Sequence, residues 1–301
     1  MSLHENQQVA IGSPFVLDDN QAYQQWRVAR QKYALPKIDD LLVHIDDPYR
    51  LSDEEQTAIM NCCDYFNMAI YQLNDSGMQD KSLVHALGKQ LALVNLDANL
   101  RSDEDSVSSL EVRNQSGNQY IPYTNKALSW HTDGYYNYLD KQIYGIVMHC
   151  ARPAADGGVN SLLNPEDVYI KLRETNPAYI EALIHPKAMT IPANIEAGKV
   201  IREAQTGPVF MVKPDGHLHM RFSARKRNIV WRDTDDTVKA VEMINALMAD
   251  ETNVFKVALK AGQGIVCNNV LHNRTAFTDG EESGRLIYRA RYYDAVCKVS
   301  N

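Results

Sequence analysis

The chain has 301 residues, of which 45% are hydrophobic and 23% charged, an ordinary balance for a globular protein with a substantial core. The net charge of −7 argues against a nucleic-acid partner, because a general nucleic-acid binder needs a basic face to neutralise phosphates. The chain begins without a basic segment followed by an apolar run, and it has no stretch of about 18 apolar residues, so we expect neither a signal peptide nor a membrane partner.

The cysteines favour a reducing compartment. They stand at positions 62, 63, 150, 267 and 297, and no pair has the C-x-x-C spacing of a zinc or redox motif. We therefore expect a cytoplasmic protein whose thiols are reduced and mostly serve as small apolar core residues.

In chain order, residues 20–100 are predicted to be mainly helical. The segment Ser52-Asp53-Glu54-Glu55 is a capping box, and the apolar-rich run after it predicts a helix as far as about Tyr71. Residues 101–120 are rich in Ser, Asp and Asn, which predicts a mobile loop because they offer little apolar surface to bury.

From about residue 121 the pattern changes to short β-like runs, such as 142–149 and 286–293, and helices are predicted at 165–173, 178–184 and 237–248. This order predicts an α+β fold. We expect one domain over 1–301, with a strand-rich core at 121–295 and a mainly helical N-terminal region at 1–105 packed on it. The alternative is a separate helical domain that ends near residue 100.

The triplet His131-Thr132-Asp133, together with His272 much later in the chain, is the motif with the clearest chemistry. On an extended strand, residues i and i+2 point to one face, so His131 and Asp133 can share one ion. Two imidazoles and a carboxylate can hold a divalent iron on one side and leave the opposite side open. Alone, the pair could also be a hydrogen-bonded surface pair, and a second H-x-D at 44–46 is interpreted as a structural segment.

Three blocks, at 130–134, 270–277 and 285–289, resemble in their order the signature of the taurine/2,4-D dioxygenase superfamily. Its members are iron(II)- and 2-oxoglutarate-dependent oxygenases related to clavaminate synthase. The resemblance covers about 121–295 and implies a double-stranded β-helix (jelly roll) flanked by helices. It implies His131, Asp133 and His272 as the ligands of Fe(II), with 2-oxoglutarate and dioxygen as cosubstrates.

The same resemblance assigns further site residues. Arg285 matches the arginine that pairs with the far carboxylate of 2-oxoglutarate, and a guanidinium–carboxylate pair is a strong, geometrically selective anchor. Asn160 stands where many members have a threonine that contacts 2-oxoglutarate, and Ser161 carries a hydroxyl one place later. Either can donate a hydrogen bond to a carboxylate, and Asn160 is slightly favoured.

Arg289 and Tyr135 are the candidate substrate-binding residues. Arg289 matches a position where some members hold the acid group of the substrate, and a protein carboxylate is the alternative partner. Tyr135 flanks the metal block, with packing as the alternative role. Alternation places Arg285, Arg289 and Arg291 on one strand face, which would need anionic ligands if it pointed inward. Arg291 is expected to be structural.

Two other polar segments are assigned mainly to the surface. The pair His217 and His219 is predicted to lie on an exposed polar strand, since no third metal ligand is nearby. The basic run at 221–232 is predicted to be a solvated face, with an entrance for an acidic substrate as the alternative.

Together these features predict an oxygenase that hydroxylates an unactivated C–H bond of a small anionic metabolite and releases succinate and carbon dioxide. Desaturation and ring closure remain open. So do a zinc or manganese jelly-roll protein with hydrolase or isomerase chemistry and a non-catalytic metal-binding or 2-oxoglutarate-binding module. Homo-oligomers are common among the proteins that the chain resembles, so a homo-oligomer is also left open.

Overall fold

The computed structural model describes residues 12–30, 35–98, 105–112, 121–213, 215–225, 227, 229–280 and 284–296. The described residues form α-helices at Asn20–Arg30 (α1), Ile38–Leu41 (α2), Asp53–Phe66 (α3), Leu83–Gln90 (α4), Pro165–Thr175 (α5), Pro177–Ile184 (α6) and Asp235–Ala249 (α7). Helices at about 165–173, 178–184 and 237–248 were predicted, and α5, α6 and α7 confirm them. None of the described helices is both long enough and apolar enough to cross a bilayer.

Strands occupy much of the remaining chain. They are Leu42–Ile45 (β1), Met68–Leu73 (β2), Ser108–Leu110 (β3), Leu128–His131 (β4), Gly145–Arg152 (β5), Asp156–Gly157 (β6), Asn160–Leu163 (β7), Met189–Ile191 (β8), Asn194–Glu196 (β9), Lys199–Arg202 (β10), Gln205–Gly207 (β11), Phe210–Val212 (β12), Leu218–Met220 (β13), Val230–Trp231 (β14), Phe255–Val257 (β15), Gln263–Cys267 (β16), Leu271–Arg274 (β17), Phe277–Thr278 (β18) and Leu286–Tyr292 (β19). The mixture of helix and sheet confirms the predicted α+β class.

The chain divides into two compact units. The first comprises Met1–Leu35, Trp130–Gln142 and Leu163–Val254, and the second comprises Pro36–Ser129, Ile143–Leu162 and Phe255–Asn301. The predicted single domain over 1–301 stays a prediction.

The second unit is built around a six-stranded sheet in the order β1-β2-β16-β5-β19-β3. The strands β7, β15 and β17 belong to another sheet, of order β15-β7-β17-β4. Side chains from both sheets meet in one apolar cluster, which we call the inner cluster: Leu41, Met68, Ile70, Leu110, Ile143, Ile146, Cys150, Leu162, Phe255, Val257, Leu259, Ile265, Cys267, Val270 and Ile287. The opposite face of the six-stranded sheet packs on α3 and α4 through a second cluster that includes Ile59 and Leu87.

Helix α3 shows how local sequence sets its start but not its end. Ser52 Oγ accepts the Glu55 N–H at 3.2 Å and Glu55 Oε2 accepts the Ser52 N–H at 2.7 Å, which confirms the predicted capping box. The prediction that this helix continues to Tyr71 is wrong. Asn67 takes a left-handed conformation (φ 58°) that ends the helix, and the buried run that follows is strand β2.

The polar segment 101–120 is not entirely a loop. Ser108–Leu110 forms β3 and pairs antiparallel with β19, where Ile287 lies opposite Leu110. The loop prediction is therefore wrong for these residues, because Leu110 is buried in the inner cluster and the sheet edge supplies backbone partners. Residues 101–104 and 113–120 lie outside the described part of the chain.

The first unit carries α1, α5, α6 and α7 with three small sheets, β11-β8-β14, β9-β10 and β12-β13. Phe15 packs edge-on against Trp26 and Tyr169, with ring centroids 5.1 and 5.4 Å away. Arg173 on α5 donates to the backbone carbonyls of Pro14 and Leu17 at 2.8 and 3.2 Å. These contacts fix the segment before α1 against α5.

Candidate metal centre

The H-x-D triplet starts at the last residue of β4 and pairs with the segment at 222–224. The Thr132 N–H donates to Phe222 O at 3.0 Å, and His131 lies opposite Ser223 in an antiparallel bridge. The Thr132 hydroxyl accepts the Phe222 N–H at 3.0 Å and is fully buried, so Thr132 faces away from its neighbours. His131 and Asp133 therefore lie on one face, as the spacing predicts, with Nε2 and Oδ1 3.6 Å apart.

His272 lies on β17, and its orientation is set by a local hydrogen bond. Nδ1 lies 2.7 Å from Val270 O, so Nδ1 carries the proton and donates, and Nε2 is the nitrogen able to coordinate a metal. Asn269, just before, holds the left-handed conformation (φ 49°) and donates from Nδ2 to Ile143 O at 2.6 Å. This buried bond fixes the turn that aims His272.

One imidazole nitrogen from each of His131 and His272 and one Asp133 carboxylate oxygen all lie within 4.8 Å of one another. The side chains of His131 and Asp133 are only 13% and 6% exposed. Two neutral imidazole nitrogens and one carboxylate form the donor set that divalent iron accepts, and their clustering suits a single ion. The residues present therefore fit the metal that the sequence predicts.

Arg285, the predicted cosubstrate anchor, is 4% exposed. Its backbone N–H donates to Asp279 Oδ1 at 2.7 Å, but no described residue accepts a hydrogen bond from its guanidinium. Burial lowers the pKa of this side chain, because the charged form loses its hydration. A buried guanidinium without an acceptor is unfavourable unless an anion binds to it, so Arg285 fits the carboxylate of a cosubstrate.

Arg274 is a functional candidate that our reading of the sequence did not identify. It is buried on β17, donates to Thr124 O at 2.9 Å and lies over the Phe277 ring at 4.7 Å. Arg285 lies 5.1 Å from the same ring. Burial and the nearby charge of Arg285 lower the pKa of Arg274 to about 10. Its place two residues after His272, on the same strand, was the available signal.

The glycines at 157 and 158 make room beside Arg285. A Cβ on Gly157 (φ 75°) would lie 2.2 Å from Ala276 O, so no side chain fits there. A Cβ on Gly158 would lie 3.4 Å from Arg285 Nε. The chain can therefore pass close to the guanidinium on its way into β7.

Asn160 and Ser161 are both buried on β7, and strand alternation separates them. Leu162 belongs to the inner cluster, so Asn160 shares the inner face and Ser161 points to the opposite one. The Asn160 amide nitrogen is buried and has no hydrogen-bond partner among the described residues. Such a donor is unfavourable unless it meets an acceptor, which favours Asn160 over Ser161 as a ligand contact.

The other arginines of β19 differ from Arg285. Arg291 forms a buried ion pair with Asp97, and the Tyr293 hydroxyl donates to the same carboxylate at 2.7 Å, which supports the structural role expected for Arg291. Arg289 is half-buried and alternates with Ala290, so it lies on the inner side of the sheet. Its role as a substrate contact stays a prediction.

Tyr135 is buried beside the predicted metal ligands. Its ring centroid lies 6.4 Å from that of His131, edge-on, and 5.1 Å from that of Tyr136. Its backbone carbonyl accepts from Arg221 Nε at 2.8 Å. This geometry is compatible with packing and with substrate binding, the two roles predicted for Tyr135. Its contact with substrate stays a prediction.

Arg221 and His219 contradict the surface roles that the sequence suggested. Arg221 is fully buried and donates to four backbone carbonyls, those of Tyr135, Met189, Gln205 and Gly207. His219 on β13 is 4% exposed. A run of basic residues usually predicts a solvated surface. The local sequence pattern does not show which arginine of the run is buried and donates to backbone carbonyls.

Two packed sheets with a two-histidine, one-carboxylate cluster define a class, the mononuclear non-haem iron oxygenases. Within that class the chain belongs to the family described as taurine catabolism dioxygenase TauD, TfdA family, whose model matches residues 35–291. It is therefore a dioxygenase of this family, and the resemblance read from its three sequence blocks is confirmed.

Individual proteins are similar to this chain in sequence or in fold. A uridine-5'-phosphate dioxygenase from a Streptomyces species is 27% identical over 246 residues, which cover 76% of this chain and 88% of the relative. Among solved structures, a taurine dioxygenase from Burkholderia xenovorans aligns with a TM-score of 0.57 at 15% identity, covering 89% of this chain and 91% of the other. The non-haem iron oxygenase OrfP with Fe and alpha-ketoglutaric acid aligns with a TM-score of 0.60 at 14% identity, covering 81% of both.

Proposed function

We propose that this protein is an Fe(II)- and 2-oxoglutarate-dependent oxygenase that hydroxylates an unactivated C–H bond of a small anionic metabolite. The overall reaction consumes substrate, 2-oxoglutarate and dioxygen and yields hydroxylated substrate, succinate and carbon dioxide. The observation that carries the proposal is the convergence of His131, Asp133 and His272 within 4.8 Å. Bound iron would supply the oxidising chemistry together with dioxygen and 2-oxoglutarate.

The metal-binding role follows from the donor atoms. His131, at the end of β4, and Asp133, two residues later, would both coordinate the ion, and His272 would coordinate through Nε2, because its Nδ1 is engaged by Val270 O. Three protein ligands leave the remaining coordination positions to small molecules. The presence of Asp133 favours oxygenation, since halogenating relatives lack this carboxylate.

The cosubstrate-binding role rests on two buried donors that have no acceptor among the described residues. Arg285 would form the charge-assisted pair with the far carboxylate of 2-oxoglutarate, and Asn160 would donate one further hydrogen bond. Arg274 adds a second buried positive charge near Arg285, which makes the surroundings more favourable for an anion. Ser161 lies on the other strand face and would contribute less.

The substrate is a small molecule in this proposal, as the names of relatives indicate. The printed names include a uridine-5'-phosphate dioxygenase, an asparagine oxygenase and an enzyme complexed with (3S)-hydroxy-L-Arg. These small molecules differ widely, so the family alone does not select a substrate. Arg289 and Tyr135 are the substrate contacts that we propose from the sequence.

The test is reconstitution with Fe(II) and 2-oxoglutarate without oxygen, followed by exposure to oxygen and measurement of succinate. We expect succinate only when both are present, and none from His131→Ala or Asp133→Ala. His44→Ala is the matched control, because His44 begins the second H-x-D and is exposed on β1. Turnover supported equally by zinc, or full activity of Asp133→Ala, would contradict the proposal.

A further inference from the structure

The face of the strand pair that carries His131 and Asp133 also carries two residues from the facing segment. Ser223 lies opposite His131, and residues opposite each other in an antiparallel pair point to the same side. Ala224 N–H donates to Trp130 O at 2.8 Å, so the pairing continues past Ser223. Arg225, two residues after Ser223, therefore emerges on the same side as the metal ligands.

A second arginine reaches this side from the hairpin β9–β10. Arg202, the last residue of β10, lies over the Tyr136 ring at 5.8 Å, and Tyr136 packs edge-on against Tyr135. Its guanidinium is held in place by the backbone carbonyls of Glu203 and Pro192, at 3.1 and 2.9 Å. The two carbonyls take two of its N–H donors, and the other donors remain for a ligand.

Among the described residues, no carboxylate forms an ion pair with Arg202 or Arg225. Both lie within electrostatic range of the Tyr135 side chain. The net charge of the chain is −7, so an overall excess of basic residues does not explain this arrangement. Two arginines without an ion-pair partner among the described residues lie near one tyrosine.

A buried hydroxyl lies beside them. Ser223 is 1% exposed and interacts with the Tyr135 hydroxyl, yet its oxygen has no hydrogen-bond partner of standard geometry among the described residues. A buried hydroxyl in this state is completed by a ligand acceptor or donor. The site thus combines two guanidiniums, two phenols and one hydroxyl on the side of the predicted metal ligands.

We infer that Arg202 and Arg225 bind a phosphate group of the substrate, with the Ser223 and Tyr135 hydroxyls beside it. Two guanidiniums match the charge and geometry of a phosphate monoester dianion, and the rings of Tyr135 and Tyr136 suit a substrate with a planar ring. The class that fits is a nucleoside monophosphate. This inference rests on the proposed function, because it places the phosphate relative to the predicted metal ligands.

The test measures binding of uridine 5'-monophosphate and of uridine to the Fe(II)- and 2-oxoglutarate-loaded protein by anaerobic calorimetry. We expect the monophosphate to bind at least about tenfold more tightly than uridine. Arg202→Ala and Arg225→Ala should each weaken its binding by about 10- to 100-fold. Arg202→Lys should recover only part of the loss, because an ammonium lacks the planar fork.

Arg225 and Arg227 are both exposed in the same segment, but Arg225 lies near Tyr135, so Arg227→Ala is the matched control. Its affinity for the monophosphate should stay within about twofold of the unmodified protein. Equal binding of monophosphate and uridine, no binding of either, or equal effects of Arg202→Ala and Arg227→Ala would overturn the inference. Failure of the unmodified chain to bind 2-oxoglutarate would instead contradict the proposed function, so the two failures are distinguishable.

Discussion

Arg274 and Arg285 lie on the same aromatic ring, with their guanidinium carbons 4.7 and 5.1 Å from the centroid of Phe277. Both are buried, and the charge of Arg285 helps to lower the pKa of Arg274. Arg274 is satisfied in part by backbone carbonyls, whereas the guanidinium of Arg285 meets no described acceptor. The pair therefore consists of one arginine held by backbone carbonyls and one whose guanidinium is available to an anion.

We expect Arg285→Ala to raise the 2-oxoglutarate concentration needed for half-maximal turnover by about 30- to 150-fold, the equivalent of about 2–3 kcal/mol. Fe(II) affinity without 2-oxoglutarate should change little, because the guanidinium is not a metal ligand. Titration of succinate formation against 2-oxoglutarate checks the change, and Arg50→Ala, at an exposed site, is the control. An unchanged 2-oxoglutarate requirement would mean that another arginine binds the far carboxylate.

Substitutions of Asn160 and Ser161 test which face of β7 contacts 2-oxoglutarate. Asn160→Ala should raise the 2-oxoglutarate requirement by about five- to tenfold, since it removes one hydrogen bond worth about 1 kcal/mol. Ser161→Ala should leave the requirement nearly unchanged, because its side chain points to the opposite face of β7. The same titration compares the two variants, and a larger effect of Ser161→Ala would reverse the assignment.

Replacing the buried Arg221 should destabilise the protein. Arg221→Met leaves several buried carbonyls without donors, and we expect a loss of about 2–4 kcal/mol in the free energy of unfolding. Urea unfolding with Arg227→Met as the exposed control measures the difference. Because Arg221 holds the Tyr135 carbonyl, metal affinity should fall as well. Equal stability of the two variants would show that the carbonyls find other donors.

His219 should make the stability depend on pH. Burial lowers its pKa from 6.5 to about 3, so the unfolded chain binds a proton that the folded chain does not. This contribution is complete above about pH 6.5 and is lost as the pH falls towards 3, by a few kcal/mol in order of magnitude. Unfolding free energies of His219→Gln should decline less steeply between pH 7 and pH 4.5 than those of the exposed-site control His44→Gln. Parallel declines would contradict the burial effect.

Local signals with a fixed geometry were predictable from the sequence. The capping box at Ser52 and Glu55 and the shared face of His131 and Asp133 follow from spacing alone, and the structure has both. The family was predictable because three short blocks occur in order. The convergence of His272 on the other two predicted ligands was implied by that resemblance, since spacing cannot bring distant strands together.

Features decided by tertiary contacts were not predictable. The run at 68–73 is apolar on both faces, so its pattern fits a helix and a buried strand equally, and only pairing with β1 and β16 selects the strand. Arg221 and His219 look like surface residues in sequence. Their burial depends on backbone carbonyls from distant segments, such as those of Gln205 and Met189.

His131 ends β4 and Asp133 follows two residues later, and this close spacing has a consequence for how such a protein can diverge. A gain or loss of one residue between them would turn one donor away from the ion, so this step tolerates no change in length. The long segment between Asp133 and His272 carries no such restriction, because the third donor arrives on a different strand. Insertions there, including around the β9–β10 hairpin, can therefore arise while the ligand geometry is inherited intact.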